Sequence, residues 1–303
     1  MILPLGLVAL AAGAAARRAA TRRRERALAV RMPVGADGII PGARPISLAG
    51  GSRAVLMLHG FGDTPQTLHY LAAHLHARGF TVDAPLLPGH GRTLAAFSAS
   101  GGEQWLGAAR EALVALRRTH SDVAVLGLSM GGALAAILAT ESPAPAALVL
   151  LAPYLGMPSG VRRVAGAHWL VGLAMTYVSG GGSESIRDPV EKAQNLAYGT
   201  CTPALLHELR TVVDRAARAL PDVRVPTLLV QSSEDNRISQ AVAEDAFARL
   251  GARETRLVWT SGQGHIITVD LGRERVLALV HDWLVAHPAA APEVATRGAR
   301  DTI

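Results

Sequence analysis

The sequence predicts an α/β protein with a mostly parallel central sheet, helices on both faces and a small helical insertion. Three observations support this prediction. From about residue 53, strand-like and helix-like runs alternate, as they do in proteins with parallel sheets. Residues 55–58 read Val-Leu-Met-Leu, and a continuous apolar run is typical of a strand buried on both faces. Residues 153–221 break the alternation and are too many for a simple connection.

The first half of the body follows this alternation in order. Residues 67–78 place leucines at helical spacing and end before Gly79, a residue suited to a helix C-terminus. Residues 80–86 form the next predicted strand, which leads into the turn Pro-Gly-His-Gly at residues 88–91. Residues 103–118 are amphipathic and predict another helix.

The second half repeats the alternation on both sides of the insertion. The predicted strands are residues 122–126, 147–151, 227–230 and 255–259. The predicted helices are residues 132–140, 240–250 and 271–286. These elements assign residues 45–152 and 222–286 to one α/β body.

Residues 153–221 are expected to fold over the carboxyl edge of the sheet as a cap. The alternative is a pair of connecting helices without a gating role. The segment contains an apolar run around Trp169, Leu170, Val171, Leu173 and Met175. This run would either contact an apolar part of a substrate or pack against the core.

Composition excludes several classes of function. The formal net charge of +6 arises in residues 17–31, which hold seven arginines and one glutamate, so the rest of the chain is formally neutral. A neutral body is not the footprint of a nucleic-acid-binding protein. Cys201 is the only cysteine, which excludes an internal disulfide, and no Cys or His spacing suggests a metal site.

The N-terminal segment allows two interpretations. Residues 1–16 are uncharged and precede the arginines, which is the reverse of the order in a secretory signal. They are also fewer than the roughly 20 residues that span a bilayer. Residues 1–31 are therefore either a membrane tether, with the arginines on the cytoplasmic side, or a disordered leader, with Met32 as an alternative start. We expect a cytoplasmic protein, and a disordered tail at residues 287–303.

The centre of the chain contains a candidate nucleophile. Residues 127–131 read Gly-Leu-Ser-Met-Gly, between a predicted strand and a predicted helix. A serine in such a turn, with glycine two residues to either side, forms a nucleophile elbow. The glycines avoid side-chain clashes in the tight turn, and the hydroxyl of Ser129 is expected above the positive end of the following helix.

A serine nucleophile needs a base, and the base needs an orienting acid. With this elbow, the acid and then the histidine follow the serine along the chain. Asp235 lies just after a predicted strand, with Glu234 as the competing carboxylate; the alternative is that Asp235 is only a turn residue. Of the 11 histidines, His265 alone lies in a glycine-containing loop after the last predicted strand. It is the predicted base.

Two backbone N–H groups are the predicted donors to an oxyanion. One belongs to Met130, the residue after the nucleophile. The other belongs to Phe61 in His-Gly-Phe-Gly, directly after the strand at residues 55–58. The alternative is that this loop is merely a tight turn. His90 is expected to be a structural residue near the site.

Five stretches together resemble the α/β-hydrolase family, and most of all its small bacterial carboxylesterases and monoacylglycerol lipases. The stretches are residues 55–62, 88–91, 127–132, 230–235 and 262–268. The resemblance covers about residues 50–285 and implies the α/β-hydrolase fold, a triad of Ser129, Asp235 and His265, and oxyanion donors at Phe61 and Met130. The sequence departs from these relatives at Gln263, where serine is usual, and at Asn236 after the acid.

The resemblance implies a serine hydrolase that cleaves carboxylic esters through an acyl-enzyme. The expected substrates are short- to medium-chain acyl esters or monoacylglycerol-like lipids. No cofactor, metal or nucleic-acid partner is expected, and residues 1–31 are the segment that would contact a membrane. The alternatives are an acyltransferase or thioesterase with the same triad, or a non-catalytic binding protein with this fold.

Overall fold

The computed structural model describes residues 2–180 and 185–289, with the side chains described from residue 12 onward. Most of the predicted tail, residues 290–303, lies outside this description. His287, at the start of that predicted tail, is held in place. Its Nδ1 lies 2.8 Å from the carbonyl oxygen of Trp283, and its Nε2 lies 2.6 Å from Glu254 Oε1.

The strands form one large sheet and a small ribbon. In chain order they are β1 Ile46–Leu48, β2 Arg53–Leu58, β3 Thr81–Ala84, β4 Asp122–Leu128, β5 Leu148–Leu151, β6 Val178–Ser179, β7 Thr200–Cys201, β8 Thr227–Ser232 and β9 Thr255–Thr260. The seven-stranded sheet has the order β1-β3-β2-β4-β5-β8-β9, with only β1 antiparallel to its neighbour. The predicted fold class is confirmed, although β1 was not predicted.

Helices cover both faces of this sheet. In chain order they are α1 Ile2–Arg31, α2 His69–His76, α3 Leu94–Ser98, α4 Gly102–Arg117, α5 Met130–Leu138, α6 Ser159–Gly166, α7 His168–Ala174, α8 Pro189–Gln194, α9 Pro203–Ala219, α10 Gln240–Ala248 and α11 Arg273–Ala286. Strand β2 shows how the core is divided, because successive side chains point to opposite faces. Leu56 and Leu58 join the cluster that includes α4, α5 and α9, whereas Val55 and Met57 join the cluster with α2 and α11.

The insertion between β5 and β8 contains α6 to α9 and the small ribbon. Helix α9 is amphipathic, and its buried face packs against α5 and α4 through residues such as Leu205, Leu209 and Val213. Helices α6 and α7 pack in turn on α9. The inner layer of the insertion is therefore part of the hydrophobic core, while its outer layer lies further from the sheet.

The N-terminal segment is helical rather than disordered. Alanine, leucine and arginine, which dominate α1, have high helix propensities. Residues at positions 17, 21 and 25 share one face of α1 and contact the insertion. The Arg17 guanidinium donates to the carbonyls of Gly172 and Leu173 at 2.8 and 2.7 Å, and the hydroxyls of Thr21 and Thr176 lie 2.8 Å apart. Within the described part of the chain, no helix is long and apolar enough to cross a membrane.

The apolar run of the insertion is in neither of its two predicted places. Trp169, Leu170, Leu173 and Met175 are all exposed to solvent. They do not pack in the core, and they are not among the residues that line the pocket described below. The reason is that α7 forms the outer layer of the insertion and buries none of its residues.

Candidate active site

The predicted site residues meet at one edge of the sheet. Strands β2, β4, β8 and β9 run parallel, so their carboxyl ends lie side by side. Leu58 pairs with Gly127, and Ser232 pairs with Thr260. The loops that follow these strand ends carry Ser129, Asp235, His265 and residues 59–62. We call residues 59–62 the oxyanion segment, after the role predicted for them.

Ser129 occupies a strained turn between β4 and α5. Its φ of 55° and ψ of −117° are unusual for a residue with a side chain. The turn is so tight that a Cβ at Gly127 would lie 2.1 Å from the Gly131 carbonyl oxygen. A Cβ at Gly131 would lie 2.0 Å from the carbonyl oxygen of Leu58 on the neighbouring strand. Only glycine fits at both positions, and the serine hydroxyl is raised above the sheet edge.

Three side chains form a continuous hydrogen-bonded series beside this turn. His265 Nε2 lies 2.8 Å from Ser129 Oγ, and His265 Nδ1 lies 2.7 Å from Asp235 Oδ2. The Asp235 side chain is fully buried, and that of His265 is almost so. The Asp235 carboxylate also accepts hydrogen bonds from the N–H groups of Arg237 and Ile238, at 2.6 and 3.0 Å, and from Gln231 Nε2 at 2.7 Å.

These contacts determine the charge of Asp235. Burial alone would raise its pKa, but the hydrogen bond and charge of His265 and the two main-chain donors outweigh burial and lower the pKa. Asp235 is therefore ionised at neutral pH. An ionised acceptor at Nδ1 keeps the ring proton on that nitrogen, which leaves Nε2 able to accept a proton from Ser129.

The competing carboxylate, Glu234, points elsewhere. It forms an ion pair with Arg187 and accepts a 2.8 Å hydrogen bond from the N–H of Gly262. Its side chain is partly exposed. The geometry therefore pairs His265 with Asp235.

The oxyanion segment is fixed by a buried histidine. The N–H of Leu87 donates to His59 Nε2 at 3.1 Å, so Nδ1 carries the ring proton and donates to the Gly60 carbonyl at 2.9 Å. Burial lowers the pKa of His59 to about 4, against the opposing effect of the Gly60 hydrogen bond, so the ring is neutral. Phe61 and Met130 line the same pocket as Ser129, as required of the predicted donors.

His90 packs against the other side of this segment. It is fully buried, and its ring contacts those of His59 and Phe97 at centroid distances of 4.9 and 4.8 Å. Burial holds its pKa well below the usual value. His90 therefore lies near the site, and its structural role stays a prediction.

Asp270 is an important residue of this site that was not predicted. Its fully buried carboxylate accepts hydrogen bonds from four main-chain N–H groups. One oxygen accepts from Gly264, the neighbour of His265, at 2.6 Å. The other accepts from Leu271 and, in the insertion, from Arg187 and Asp188 at 2.9 and 2.8 Å. Asp270 thus joins the histidine loop to the insertion.

Gln231 and Asp63 were also not predicted. Gln231 interrupts the apolar run of β8, and this polar residue in a buried strand was the available signal. Asp63 is 4% exposed and lines the pocket; Thr67 Oγ1 lies 2.7 Å from its Oδ2. Burial raises the pKa of Asp63 to about 7, although hydrogen bonds from Thr67 and the Thr64 N–H oppose the shift.

The two departures noted in the sequence lie beside the triad. The Gln263 carbonyl accepts a 2.7 Å hydrogen bond from Ser232 Oγ, which fixes the histidine loop to the end of β8. Asn236 Oδ1 lies 3.3 Å from Ser185 Oγ of the insertion. Both residues support neighbouring segments and leave the contacts of His265 intact.

A pocket of about 570 Å³ opens above Ser129. The body contributes the oxyanion segment, Met130 and His265 to its walls. The insertion contributes apolar side chains, among them Val161, Val164, Val178, Leu206 and Leu209. Among the described residues, no group of three or more side chains could hold a metal ion. The arrangement places a hydroxyl, an imidazole and a carboxylate in one hydrogen-bonded series beneath a largely apolar space.

Comparison with known proteins identifies the family. Residues 51–272 match the family model described as serine aminopeptidase, S33, and the chain belongs to this family of α/β-hydrolases. The chain is 26% identical to a thermostable monoacylglycerol lipase of Bacillus sp. (strain H-257) over 249 residues, which cover 82% of this chain and 97% of the relative. It is 25% identical to a carboxylesterase of Bacillus subtilis (strain 168) over 244 residues, or 80% and 96% of the two chains.

A solved structure shows the same relationship. It comes from work on LipS and LipT, two metagenome-derived lipolytic enzymes. It superposes with a TM-score of 0.77 at 30% identity, and covers 82% of this chain and 100% of that one. The predicted resemblance to α/β-hydrolases of the carboxylesterase and monoacylglycerol lipase kind is confirmed.

Proposed function

We propose that this protein hydrolyses carboxylic esters through an acyl-enzyme on Ser129. The observation that carries the proposal is the hydrogen-bonded series from Ser129 through His265 to Asp235 at the base of an apolar pocket. The relatives support it, since they are named as esterases and monoacylglycerol lipases.

In the first step, Ser129 Oγ attacks the ester carbonyl carbon and its proton moves to His265 Nε2. Ionised Asp235 stabilises the resulting imidazolium. The carbonyl oxygen becomes an oxyanion, which the N–H groups of Phe61 and Met130 would hold. The intermediate then collapses as the ester C–O bond breaks. The leaving alkoxide takes the proton from His265 Nε2 and departs as an alcohol, which leaves the acyl group on Ser129.

The second step repeats this chemistry with water. His265 Nε2 accepts a proton from water, whose oxygen attacks the acyl carbon and forms a second oxyanion. Ser129 Oγ then leaves and regains the proton from His265. The products are a carboxylic acid and the restored serine. In each half His265 Nε2 takes up one proton and passes it on, first to the leaving alcohol and then to Ser129 Oγ, so no reagent other than water is consumed.

For the substrate, we propose short- to medium-chain acyl esters or monoacylglycerol-like lipids. The apolar walls that the insertion provides suit an acyl chain. A volume of about 570 Å³ lies within the usual range for small-molecule sites. Thioester hydrolysis and acyl transfer use the same groups, so rates with thioesters, and product analysis with added alcohol, separate these activities from ester hydrolysis.

The family description names an aminopeptidase, but the charge around the pocket favours a neutral ester. An aminopeptidase must bind the ammonium group of a peptide. Among the described residues of the pocket wall, Arg237 would repel an ammonium group. The only acidic one, Asp63, has its pKa raised by burial to about 7, so a large fraction of it is neutral at physiological pH.

A purely binding role has less support. The positive φ of Ser129 costs conformational energy, and a binding protein gains nothing from that strain. For location, we propose a cytoplasmic enzyme whose helix α1 contacts the cytoplasmic membrane, because exposed arginines are concentrated on this helix.

The test is hydrolysis of p-nitrophenyl butyrate and of longer-chain p-nitrophenyl esters by the native protein and by Ser129→Ala. We expect the variant to lose a factor on the order of 10⁶ in kcat. A thermal unfolding midpoint equal to that of the native protein would show that the variant is folded. Turnover by the variant within tenfold of the parent would contradict the assignment.

A further inference from the structure

The outer layer of the insertion carries an apolar patch that the active site does not use. We define it as the four exposed side chains Trp169, Leu170, Leu173 and Met175. Trp169 is 67% exposed and Leu173 is 69% exposed. Large apolar side chains that gather on one exposed surface indicate a contact with another surface.

Helix α1 lies directly beside this patch. Arg17 donates to the main-chain carbonyls of Gly172 and Leu173, so the basic helix is attached to the helix that bears the patch. Arg18, Arg22 and Arg26 are spaced four residues apart and therefore form a stripe along α1, and all three are exposed. This arginine stripe begins one residue after Arg17, next to the attached face.

The segments directly before and after the patch form part of the pocket wall. Val161 and Val164 of α6, just before α7, line the pocket, as does Val178 just after it. A surface bound to the patch would therefore lie close to the space above Ser129. This position suits a surface that contains the substrate.

We propose that the apolar patch and the arginine stripe together dock this protein on an anionic lipid surface. Apolar side chains of an interfacial helix enter the boundary between headgroups and acyl chains, and arginines bind the phosphates beside it. The charge of α1 selects this occupant, because residues 17–31 hold seven arginines against one glutamate. In a symmetric contact with a second copy through this face, the arginines of the two copies would lie near each other and repel.

The test is flotation of the full chain with phosphatidylcholine vesicles and with vesicles of phosphatidylcholine and phosphatidylglycerol in a 7:3 ratio. We expect binding to the anionic vesicles that weakens with salt, and much weaker binding to the neutral ones. Replacing Trp169→Ser together with Leu173→Ser should weaken binding at least tenfold. Replacing Arg18→Gln, Arg22→Gln and Arg26→Gln should weaken it on the order of a hundredfold, at about fivefold for each arginine.

A matched control is Val114→Ser with Val285→Ser, which changes two exposed apolar residues on α4 and α11 and should leave vesicle binding unchanged. All variants should hydrolyse p-nitrophenyl butyrate in solution at the native rate. This assay tests the proposed esterase separately, because docking does not require it.

Three outcomes would overturn the docking proposal. The first is equal binding to neutral and anionic vesicles, and the second is native binding by either the double or the triple variant. The third is that the native chain binds no vesicles and forms a dimer in sedimentation velocity, which the Trp169→Ser, Leu173→Ser variant does not form. The last result would make the patch a contact between copies.

Discussion

The edge of the sheet and the outer layer of the insertion distribute polarity in opposite ways. The sheet edge buries charged and polar groups, such as Asp235, His265 and Asp270. The outer insertion exposes apolar ones, such as Trp169 and Leu173. In both regions the side chains contradict the usual partition between core and surface. The comparison teaches that a buried charge and an exposed apolar side chain are both unfavourable alone, and that each needs a specific physical compensation.

The compensation differs between the two regions. At the sheet edge, main-chain N–H groups stabilise buried carboxylates: two reach Asp235 and four reach Asp270. In the outer insertion, Val161 and Val164 of α6 line the pocket, while α7 buries none of its own side chains. Charges at the sheet edge should therefore be costly to change, and apolar residues of the patch should not be.

The largest effect is expected from Asp235→Asn. An amide would donate to His265 Nδ1 and hold the ring proton on Nε2, so the ring could no longer accept the proton of Ser129. We expect kcat for p-nitrophenyl butyrate to fall by a factor on the order of 10⁴. The neighbouring change Glu234→Gln is the control and should alter kcat by less than about threefold, because Glu234 does not contact His265. Comparable losses in the two variants would refute the assignment of the acid.

A smaller effect is expected from Asp270→Asn. The side-chain amide of asparagine would place an N–H group opposite one of the four main-chain N–H groups that now donate to Asp270. In this fully buried site neither N–H group would then have an acceptor. We expect the free energy of unfolding, measured with urea, to fall by about 3 kcal/mol. Because Gly264 precedes His265, kcat should also fall about tenfold or more.

The control for that change is Asp188→Asn, which alters a carboxylate that caps α8 from the other side of the same junction. It should cost less than about 1 kcal/mol, because asparagine caps a helix about as well as aspartate does, and it should leave kcat within about twofold. If both variants lowered kcat equally, the carboxylate of Asp270 would have no special role in holding the histidine loop.

The next effect concerns pH and Asp63. Its pKa of about 7 in the folded protein exceeds the value of 3.8 for an unperturbed carboxyl. The folded state therefore binds one more proton than the unfolded state between these values. This contribution to stability is fully present below about pH 4 and is lost as pH rises through 7, at roughly 1 kcal/mol per pH unit.

Asp63→Asn removes this dependence. The variant should match the native protein near pH 4 and exceed its free energy of unfolding by about 3–4 kcal/mol at pH 8. Urea unfolding at several pH values measures the difference. A constant difference between the two proteins from pH 4 to pH 8 would show that Asp63 titrates alike in both states.

The smallest effect is expected in the patch. Leu173→Ala removes an exposed side chain, so the free energy of unfolding should change by less than about 0.5 kcal/mol. The matched change Leu209→Ala removes a buried leucine of α9 and should cost about 2–4 kcal/mol. Similar costs at the two positions would mean that Leu173 is covered by other parts of the protein.

The fold and the grouping of Ser129, Asp235 and His265 could be predicted because their signals are local. Each residue follows a strand whose apolar run is legible in the sequence, and parallel strands bring their carboxyl ends together. The catalytic roles of these residues and of Phe61 and Met130 stay predictions that kinetics must test. Strand β1 was missed because three residues leave too short a pattern.

The remaining features depend on contacts between distant segments. Asp270 looks like an ordinary helix-approach residue until the insertion brings the N–H groups of Arg187 and Asp188 to it. The exposure of Trp169 depends on which layer of the insertion α7 occupies, and an apolar run reads alike in either layer. Helix α1 could have been expected from composition, but its attachment through Arg17 could not.

One carboxylate has a consequence for how substrates enter. The carboxylate of Asp270 holds two segments at once: the loop that carries His265, through the N–H of Gly264, and the middle of the insertion, through the N–H groups of Arg187 and Asp188. If residues 187 and 188 moved away to admit a substrate, the loop that carries His265 would lose part of its support. We therefore expect a substrate to enter the pocket without displacement of residues 187 and 188.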